Sequence, residues 1–437
     1  MTMCGIFGLL SSSKIDEIDL VTLAHHARQR GRDSSGLAYY ENDSYVIRKA
    51  DYDIKRLIRK NKPFSSPFLM GHSRLITNGL GDNQPVVRDD IVVIHNGIIV
   101  NDAEIWSRTG LTQNLKIDSE VIAALTEQHL ESGGSVSDIP SIILEQCDGV
   151  VACAVLLPKL GKTVLFSNNG SLYVGSKEEE LFFSSETYPL QEINCTSIAQ
   201  VREEGVVFDV PVQEGELEVH EEKSRSEDLI PEFKFIKSEA NLLEYRKNEI
   251  KRCTRCILPE TMPYIYFDSD GVCNYCHNYE PRNNPKPKEE LFELVEPYRR
   301  KTGEDCIVPF SGGRDSCYGL HLIVEELKMK PVTYTYDWGM VTDLGRRNIS
   351  RMCSKLGVEN IIIADDISKK RRNIKMNLQA WLKSPHLGMM AMLTAGDKHF
   401  FRHVETVKKQ TGINLNLWGV NPLEVTHFKT GFLGIKP

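Results

Sequence analysis

Residues 305–339 read DCIVPFSGGRDSCYGLHLIVEELKMKPVTYTYDWG. Ile307 to Phe310 is a short apolar strand, and Ser311-Gly312-Gly313-Arg314-Asp315-Ser316 is a glycine-bearing loop. Beyond it Leu320, Ile323, Val324 and Leu327 recur at i, i+3, i+4 and i+7, the spacing of one helical face. Pro331 to Asp337 returns as a strand. Ile349, Met352, Cys353 and Leu356 then mark a second helix at the same period, and NIIIAD at 360–365 closes as another strand. Strand alternating with helix predicts a parallel sheet with helical crossovers, an α/β domain. Backbone N–H groups at a strand-to-helix turn, with the positive end of the helix, form a phosphate site. Asp337, closing the next strand, stands where an open α/β sheet binds ligands. Cys317 opens the helix, where a thiol is either lowered in pKa or simply packed.

The loop is not the G-x-x-x-x-G-K-[ST] type that serves γ-phosphate transfer. SGGRDS instead resembles the PP-loop of the ATP pyrophosphatase superfamily, which releases pyrophosphate and leaves AMP on a substrate oxygen. That resemblance implies that Ser311, Gly312, Gly313 and Ser316 hold phosphates of ATP and that Asp315 helps place Mg²⁺.

Upstream, residues 253–276 read CTRCILPETMPYIYFDSDGVCNYC, a C-x2-C, sixteen residues, C-x2-C spacing formed by Cys253, Cys256, Cys273 and Cys276. Four thiolates at such a spacing suit tetrahedral Zn²⁺, with FDSDGV as a strand and tight turn between the knuckles. A closed four-cysteine site has no open position, so its expected role is a structural staple, in a zinc-ribbon-like insert; iron–sulfur ligation is the alternative. Between Glu214 and about Arg252 the chain turns charged and weakly periodic, the pattern of a linker, with a helix expected over 241–252.

The first half alternates strand-like runs such as IVVIHNGIIV and VVACAVLLP with helical stretches around 16–30 and 118–132, a mixed α and β domain in layers. Five stretches there form one pattern: CGIFG at 4–8, RGRDSSG at 30–36, GHSRLITNG at 71–79, HNGII at 95–99 and IDSEV at 117–121. Together they resemble the class II, N-terminal-nucleophile glutamine amidotransferases, and FSNNGSLYVGS followed by FFSSE continues the likeness over roughly 200 residues. The resemblance implies a layered αββα domain. It makes Cys4 both nucleophile and, once its amine is exposed, base; Asn96 and Gly97 donors to the oxyanion; Arg74 the fork for the α-carboxylate of glutamine; and Asp118 the acceptor for its α-ammonium. Arg32 stands where that family commonly has proline, and Asn78 where histidine is frequent. Met1-Thr2-Met3 precede Cys4. Initiation at Met3 followed by methionine removal, or initiation at Met1 followed by cleavage, would free the amine.

The chain has 437 residues, 41% hydrophobic and 26% charged, which bounds it to several ordinary globular domains. No apolar run reaches membrane-spanning length and no secretory pattern opens the chain, so a cytoplasmic location with reduced thiols is expected for its 11 cysteines. A net charge of −7 argues against a nucleic-acid-coating protein. The basic run Lys369, Lys370, Arg371, Arg372 and Lys375 reads either as a solvated face or as an anionic-substrate contact.

Four segments follow: 1–220 a glutaminase domain, 221–250 a linker, 251–285 the zinc-binding element and 286–437 the PP-loop domain. The quartet, the loop, SPHLGMMAMLTAGDK at 384–398 and GVNPLEVTHFKTGF at 419–432 resemble the N-acetyl sugar amidotransferases of surface-polysaccharide pathways. That resemblance implies an enzyme taking glutamine and ATP, with a nucleotide-linked or lipid-linked N-acetyl sugar as acceptor. Ile435-Lys436-Pro437 end the chain sooner than in that group, so acceptor-binding elements are expected from a partner or are missing; oligomeric state stays open. The alternatives are an asparagine-synthetase-like enzyme, a PP-loop enzyme modifying tRNA, and a non-catalytic scaffold.

Overall fold

The computed structural model describes residues 4–11, 15–75, 82–224, 249–262, 264–280, 285–339, 341–364, 366–385 and 397–420. The expectations placed on residues 1–3, Asn78, most of the linker, and most of 384–398 and 419–432 lie outside them. The chain divides into two compact units: Met1–Ile230 with Tyr298–Lys370 and His399–Gly419, and Pro231–Pro297 with Arg371–Lys398 and Val420–Pro437.

In the larger unit the strands are β1 (Cys4–Leu10), β2 (Ser34–Glu41), β3 (Ser44–Ala50), β4 (Phe68–Arg74), β5 (Val86–Arg88), β6 (Ile91–Ile99), β7 (Gly149–Leu157) and β8 (Lys162–Ser167). They continue as β9 (Tyr173–Lys177), β10 (Glu180–Ser184), β11 (Thr196–Gln200), β12 (Val206–Asp209), β13 (Glu218–Glu222), β14 (Cys306–Pro309), β15 (Pro331–Asp337) and β16 (Asn360–Ala364). An eight-stranded sheet runs β11-β9-β10-β1-β4-β2-β3-β13, a five-stranded one β12-β8-β7-β6-β5, and a parallel one β14-β15-β16. The eight-stranded sheet ends at Glu222, where β13 lies parallel to β3.

Helices α1 (Glu17–Arg30), α2 (Ile54–Asn61), α3 (Asp102–Thr109), α4 (Glu120–Glu131), α5 (Ile139–Gln146) and α6 (Thr187–Glu192) cover the two larger sheets. The two-residue alternation of β1 decides the layering. Phe7 and Leu9 pack outward with Leu20, Leu23, Leu57 and Leu190 of α1, α2 and α6. Ile6, with Met70, faces Val92, Ile94 and Ala154 of the five-stranded sheet. The far face of that sheet buries Val93, Val151 and Val155 against Val121, Ile122 and Ile143 of α4 and α5. The result is four layers, αββα. Each large apolar side chain so buried contributes about 1.5–3 kcal/mol.

The parallel sheet closes on one face against Val404 and Val407 of the helix Asp397–Thr411, with Tyr334, Tyr336, Ile361 and Ile363 between. Its other face carries Thr333, Thr335 and Asn360, joined by Asn360 Nδ2 donating to both threonine hydroxyls at 2.8 and 3.2 Å. The helix expected after the loop forms over Arg314–His321 and widens into a π-helical turn at Leu322–Glu326. Its buried side chains include Leu320, Ile323 and Leu327, while Val324 is only half-buried. The helix Asp343–Leu356 departs from expectation more: it buries Arg346, Ile349, Ser350 and Cys353, so two polar residues share the inner face and Met352 and Leu356 are half-buried.

In the smaller unit, Arg252 pairs with Pro259 and Phe267 with Cys273 as isolated antiparallel bridges. The expected strand at FDSDGV is thus a single bridge. The tight turn forms: Asp268 Oδ1 accepts from Asp270 N and Val272 N at 2.9 Å each, with Gly271 at φ +76. Residues 249–252 are not helical, and this end of the expected 241–252 helix is corrected accordingly. Their backbone serves the knuckle instead, Glu260 N donating to Lys251 O.

Candidate functional site

Three strands meet at Cys4. The β1–β4 register sets Cys4 opposite Arg74, and the β2–β4 register sets Ser34 opposite the same arginine. Cys4 shares the Ile6 face, which looks toward β6, and its backbone N donates to Asn96 Oδ1 at 3.1 Å. Ser185 ties the corner: its Oγ accepts from Ile6 N at 3.0 Å and from Asn96 Nδ2 at 3.5 Å. Arg74 is 2% exposed. Burial lowers its pKa, against the pull of Cys4, Asp118, Asp82 and Asp33, so four acidic groups share one deeply buried cation. Its NH1 donates to Asp82 O.

Asp118 leads into α4. Its Oδ2 accepts from Ile99 N at 2.9 Å, while Oδ1, in a residue 2% exposed, has no hydrogen-bond partner among the described residues. A buried carboxylate oxygen without a donor costs free energy, so this atom is poised for a cationic ligand group. The sequence reading thus named Cys4, Arg74, Asn96 and Asp118, and the fold brings them to one end of the space between the sheets.

Gly97 serves packing as well as access. A Cβ there would lie 1.9 Å from Val150 O, so only glycine lets β6 and β7 approach. His95 completes this support. Its Nε2 donates to Val150 O at 3.1 Å and its Nδ1 accepts from Ser119 Oγ at 3.0 Å, the neutral tautomer that burial favours by lowering its pKa. Gln84, two residues ahead of β5, extends the ladder through its side chain: its Oε1 accepts from His95 N at 2.6 Å and its Nε2 donates to His95 O at 3.1 Å. Neither Gln84 nor Ser185 was singled out from sequence, because their role exists only once distant strands are side by side.

A second candidate site lies at the carboxyl ends of β14 and β15. Ser311-Gly312-Gly313 turn from β14 into the helix Arg314–His321, with Gly312 at φ +72 and its missing Cβ only 2.3 Å from Gly345 O. Ser311 Oγ lies 3.1 Å from Ser316 Oγ and accepts from Gly313 N at 3.3 Å; Ser316 Oγ donates to Gly313 O at 2.9 Å. Asp315 sits in the first helical turn. This is an open loop, with Ser311 and Gly313 exposed.

Asp337 behaves differently from the open carboxylate its position suggested. It is buried and clamped by Arg346, Nε to Oδ2 at 2.9 Å and NH2 to Oδ1 at 3.1 Å, and Oδ1 also accepts from Gly339 N at 2.9 Å. Its carboxylate therefore orders the strand end and holds Arg346 beside the loop. Burial raises the Cys317 pKa, which favours the packed reading. In the basic run, Lys369, Arg371 and Arg372 are exposed, but Lys370 is 2% exposed, its Nζ 5.7 and 5.6 Å from the ring centroids of Tyr336 and Trp338. The solvated-face reading thus holds for its neighbours and not for Lys370.

In the smaller unit, Cys253, Cys256, Cys273 and Cys276 bring their sulfurs within 4.8 Å of one another. The Cys253–Cys276 and Cys256–Cys273 separations are 3.8 and 3.5 Å. A tetrahedron with metal–sulfur bonds of about 2.3 Å spaces its sulfurs by about 3.8 Å, so the donor set fits Zn²⁺. Burial opposes the Cys253 thiolate, yet the N–H groups of Cys256, Cys273 and Arg255 outweigh it and bring this thiol down to about 6.

Residues 72–192 match the family model of the glutamine amidotransferase domain. The isomerizing glutamine–fructose-6-phosphate aminotransferase of Mesorhizobium japonicum is 29% identical over 197 residues, 43% of this chain and 32% of that protein. Its counterpart in Bradyrhizobium diazoefficiens is 30% identical over 203 residues, 44% and 33% of the two chains. The chain spans about a third of the length of these curated relatives. Among solved structures, the glutamine phosphoribosylpyrophosphate amidotransferase of B. subtilis, complexed with ADP and GMP, aligns over 98% of this chain and 92% of its own, at 13% identity and a TM-score of 0.40, a likeness too loose to build on. The chain thus carries a glutamine amidotransferase domain of the class II type.

Proposed function

We propose that the chain is a glutamine-dependent, ATP-driven amidotransferase. The observation that carries this reading is the Cys4 corner: the nitrogen that would become the free amine is held by Asn96 Oδ1, with buried Arg74 opposite. Once residues 1–3 are removed, the α-amine takes the thiol proton and the sulfur attacks the glutamine carboxamide carbon. Asn96 Nδ2 and the Gly97 N–H stabilise the oxyanion, Arg74 takes the α-carboxylate, and Asp118 Oδ1 takes the α-ammonium. The C–N bond breaks as the α-ammonium of Cys4 returns its proton to the leaving nitrogen, ammonia departs, and water releases glutamate from the thioester.

At the second site, Ser311, Gly312, Gly313 and Ser316 hold the phosphates of ATP while an acceptor oxygen attacks the α-phosphorus and pyrophosphate departs. Asp315 would hold Mg²⁺, which neutralises phosphate charge when bound. Asp337 acts here through Arg346 rather than by direct contact. Ammonia then displaces AMP. The open loop at the sheet's carboxyl end supports this half, and the resemblance of residues 250–437 to N-acetyl sugar amidotransferases supports an acetamido sugar, nucleotide-linked or lipid-linked, as acceptor. Cys253, Cys256, Cys273 and Cys276 would hold Zn²⁺ as a structural staple, outside the chemistry.

The test uses the chain beginning at Cys4, amide-¹⁵N glutamine, Mg-ATP and a panel of N-acetyl sugar nucleotides. The expected result is AMP and pyrophosphate in step with a ¹⁵N-bearing product. Glutamate release without any ATP-to-pyrophosphate exchange would reduce the assignment to a glutaminase.

A further inference from the structure

The helix Asp343–Leu356 touches both sites within the larger unit. On the loop side, Asn348 Nδ2 donates to Gly312 O at 3.2 Å, and Gly345 O and Ile349 Cγ1 lie 2.3 and 2.9 Å from where a Gly312 side chain would be. Arg346, on the same turn, grips Asp337. On the other side, Ser350 Oγ accepts from Val150 N at 2.7 Å and donates to Ile98 O at 2.7 Å. Arg347 NH1 donates to Val100 O at 2.9 Å.

Ile98 and Val150 are directly opposed in the β6–β7 register, so the Ser350 hydroxyl bridges a rung of that ladder. Ile98 adjoins Gly97 and stands two residues from Asn96. Val150 is bound from both ends: its N–H by Ser350, its carbonyl by His95 Nε2 at 3.1 Å, with Gly97 seated against it. Ser350 is fully buried. Two residues of one rigid helix, Asn348 and Ser350, therefore connect the phosphate loop to the strand that carries the oxyanion donors.

The geometry points to Ser350 as a positioning residue through which the state of the Ser311–Ser316 loop sets the placement of Asn96 and Gly97, so that nucleotide at the loop controls glutamine hydrolysis. A loop that closes on phosphates moves Gly312 against Gly345 and Asn348, and a packed helix transmits the displacement to the Ile98–Val150 rung. Because Arg74 lies on β4, away from this rung, the control falls on kcat more than on the KM for glutamine. Reciprocity binds only the part of the control that acts on glutamine binding, so glutamine-site occupancy should change ATP affinity little.

This inference rests on the glutaminase and ATP-site reading above, and one experiment separates their failures. Cys4-dependent glutamate release by the full chain beginning at Cys4 is measured with and without saturating Mg-ATP, while ATP binding is followed by calorimetry. Wild type is expected to respond about tenfold, within the usual range of coupling between sites. Ser350→Ala and, from the half-buried loop side, Asn348→Ala should each bring the response near unity while still binding ATP. The double variant should behave like either single one, since both cut the same relay. An active, ATP-binding wild type with no response, or variants that keep the full response, would overturn the relay and leave the parent reading intact. Absence of Cys4-dependent hydrolysis in wild type overturns both.

Discussion

The Cys4 corner and the Gly312 loop are built in opposite ways. Cys4, Arg74, Asn96 and Asp118 come from three strands and the approach to a helix, and none is more than 2% exposed. Ser311 to Ser316 are consecutive, and Ser311, Gly313 and Arg314 among them are exposed. The first site is held by sheet register, because slipping β1 against β4 by one residue would turn Cys4 away from Asn96. The second is held by local backbone: a left-handed glycine, a helix N-terminus and hydroxyls within a few residues of one another. A buried, dispersed site tolerates no loss of a group; an open, contiguous one answers to backbone freedom.

The sharpest way to break this contrast is Cys4→Ala. It should lower glutamine-dependent turnover by about a thousandfold or more, as loss of a nucleophile does, while ammonia still drives the ATP-dependent half. Glutamine-driven turnover surviving the change would remove Cys4 from the mechanism. Next comes Asp118→Asn, which keeps an oxygen for Ile99 N and loses the charge at Oδ1. Glutamine KM should rise about 10- to 100-fold with a smaller change in kcat, the scale of one charge-assisted hydrogen bond. Steady-state kinetics with an unchanged KM would deny Asp118 its ligand.

Gly312→Ala probes the open site through its backbone. With φ +72 and 2.3 Å to Gly345 O, a methyl group should cost about 1–3 kcal/mol in unfolding measurements and depress ATP-to-pyrophosphate exchange. A variant with normal exchange would show that the loop does not need this conformation.

The smallest expected effect lies apart from both regions, at Glu359 just ahead of β16, whose carboxyl accepts from Tyr173 O–H. Burial lifts its pKa to about 8; the Tyr173 hydrogen bond and Arg30 oppose the rise, while Glu304 and Glu186 add to it. The folded chain thus holds a proton that the unfolded chain releases near pH 4.5. The contribution is fully present below that pH and is lost progressively as pH rises through 8. Glu359→Gln, always neutral, should flatten this decline and raise the thermal midpoint at pH 8 relative to wild type. Thermal midpoints that fall equally with pH in both proteins would contradict it.

Much of this was open to reading from the chain because its signals are local. HNG, SGGRDS and the paired C-x2-C knuckles each fit within a few residues, and the apolar periods located β14, β15, β16 and the helices α1 and α4. Asp337 shows the limit. Its place at a strand end was visible, but the clamp that removes it from direct contact comes from Arg346 on the following helix. Lys370 shows the same limit: in a charge run it reads as solvated, yet the rings of Tyr336 and Trp338 face it in the fold.

By itself, the sequence determined the strand–helix alternation of residues 307–364, the glycine loop, the spacing of four thiols and the residue types able to attack, bind and stabilise. Those properties follow from side-chain chemistry and short-range periodicity. Only the tertiary structure decided that Gln84 finishes a ladder for His95, that Ser185 ties β1 to Asn96, and that Ser350 bridges Ile98 and Val150. Such contacts join residues far apart in the chain. They exist because buried backbone N–H and C=O groups must find partners wherever a strand runs out of neighbours, and which side chain arrives there is fixed by packing.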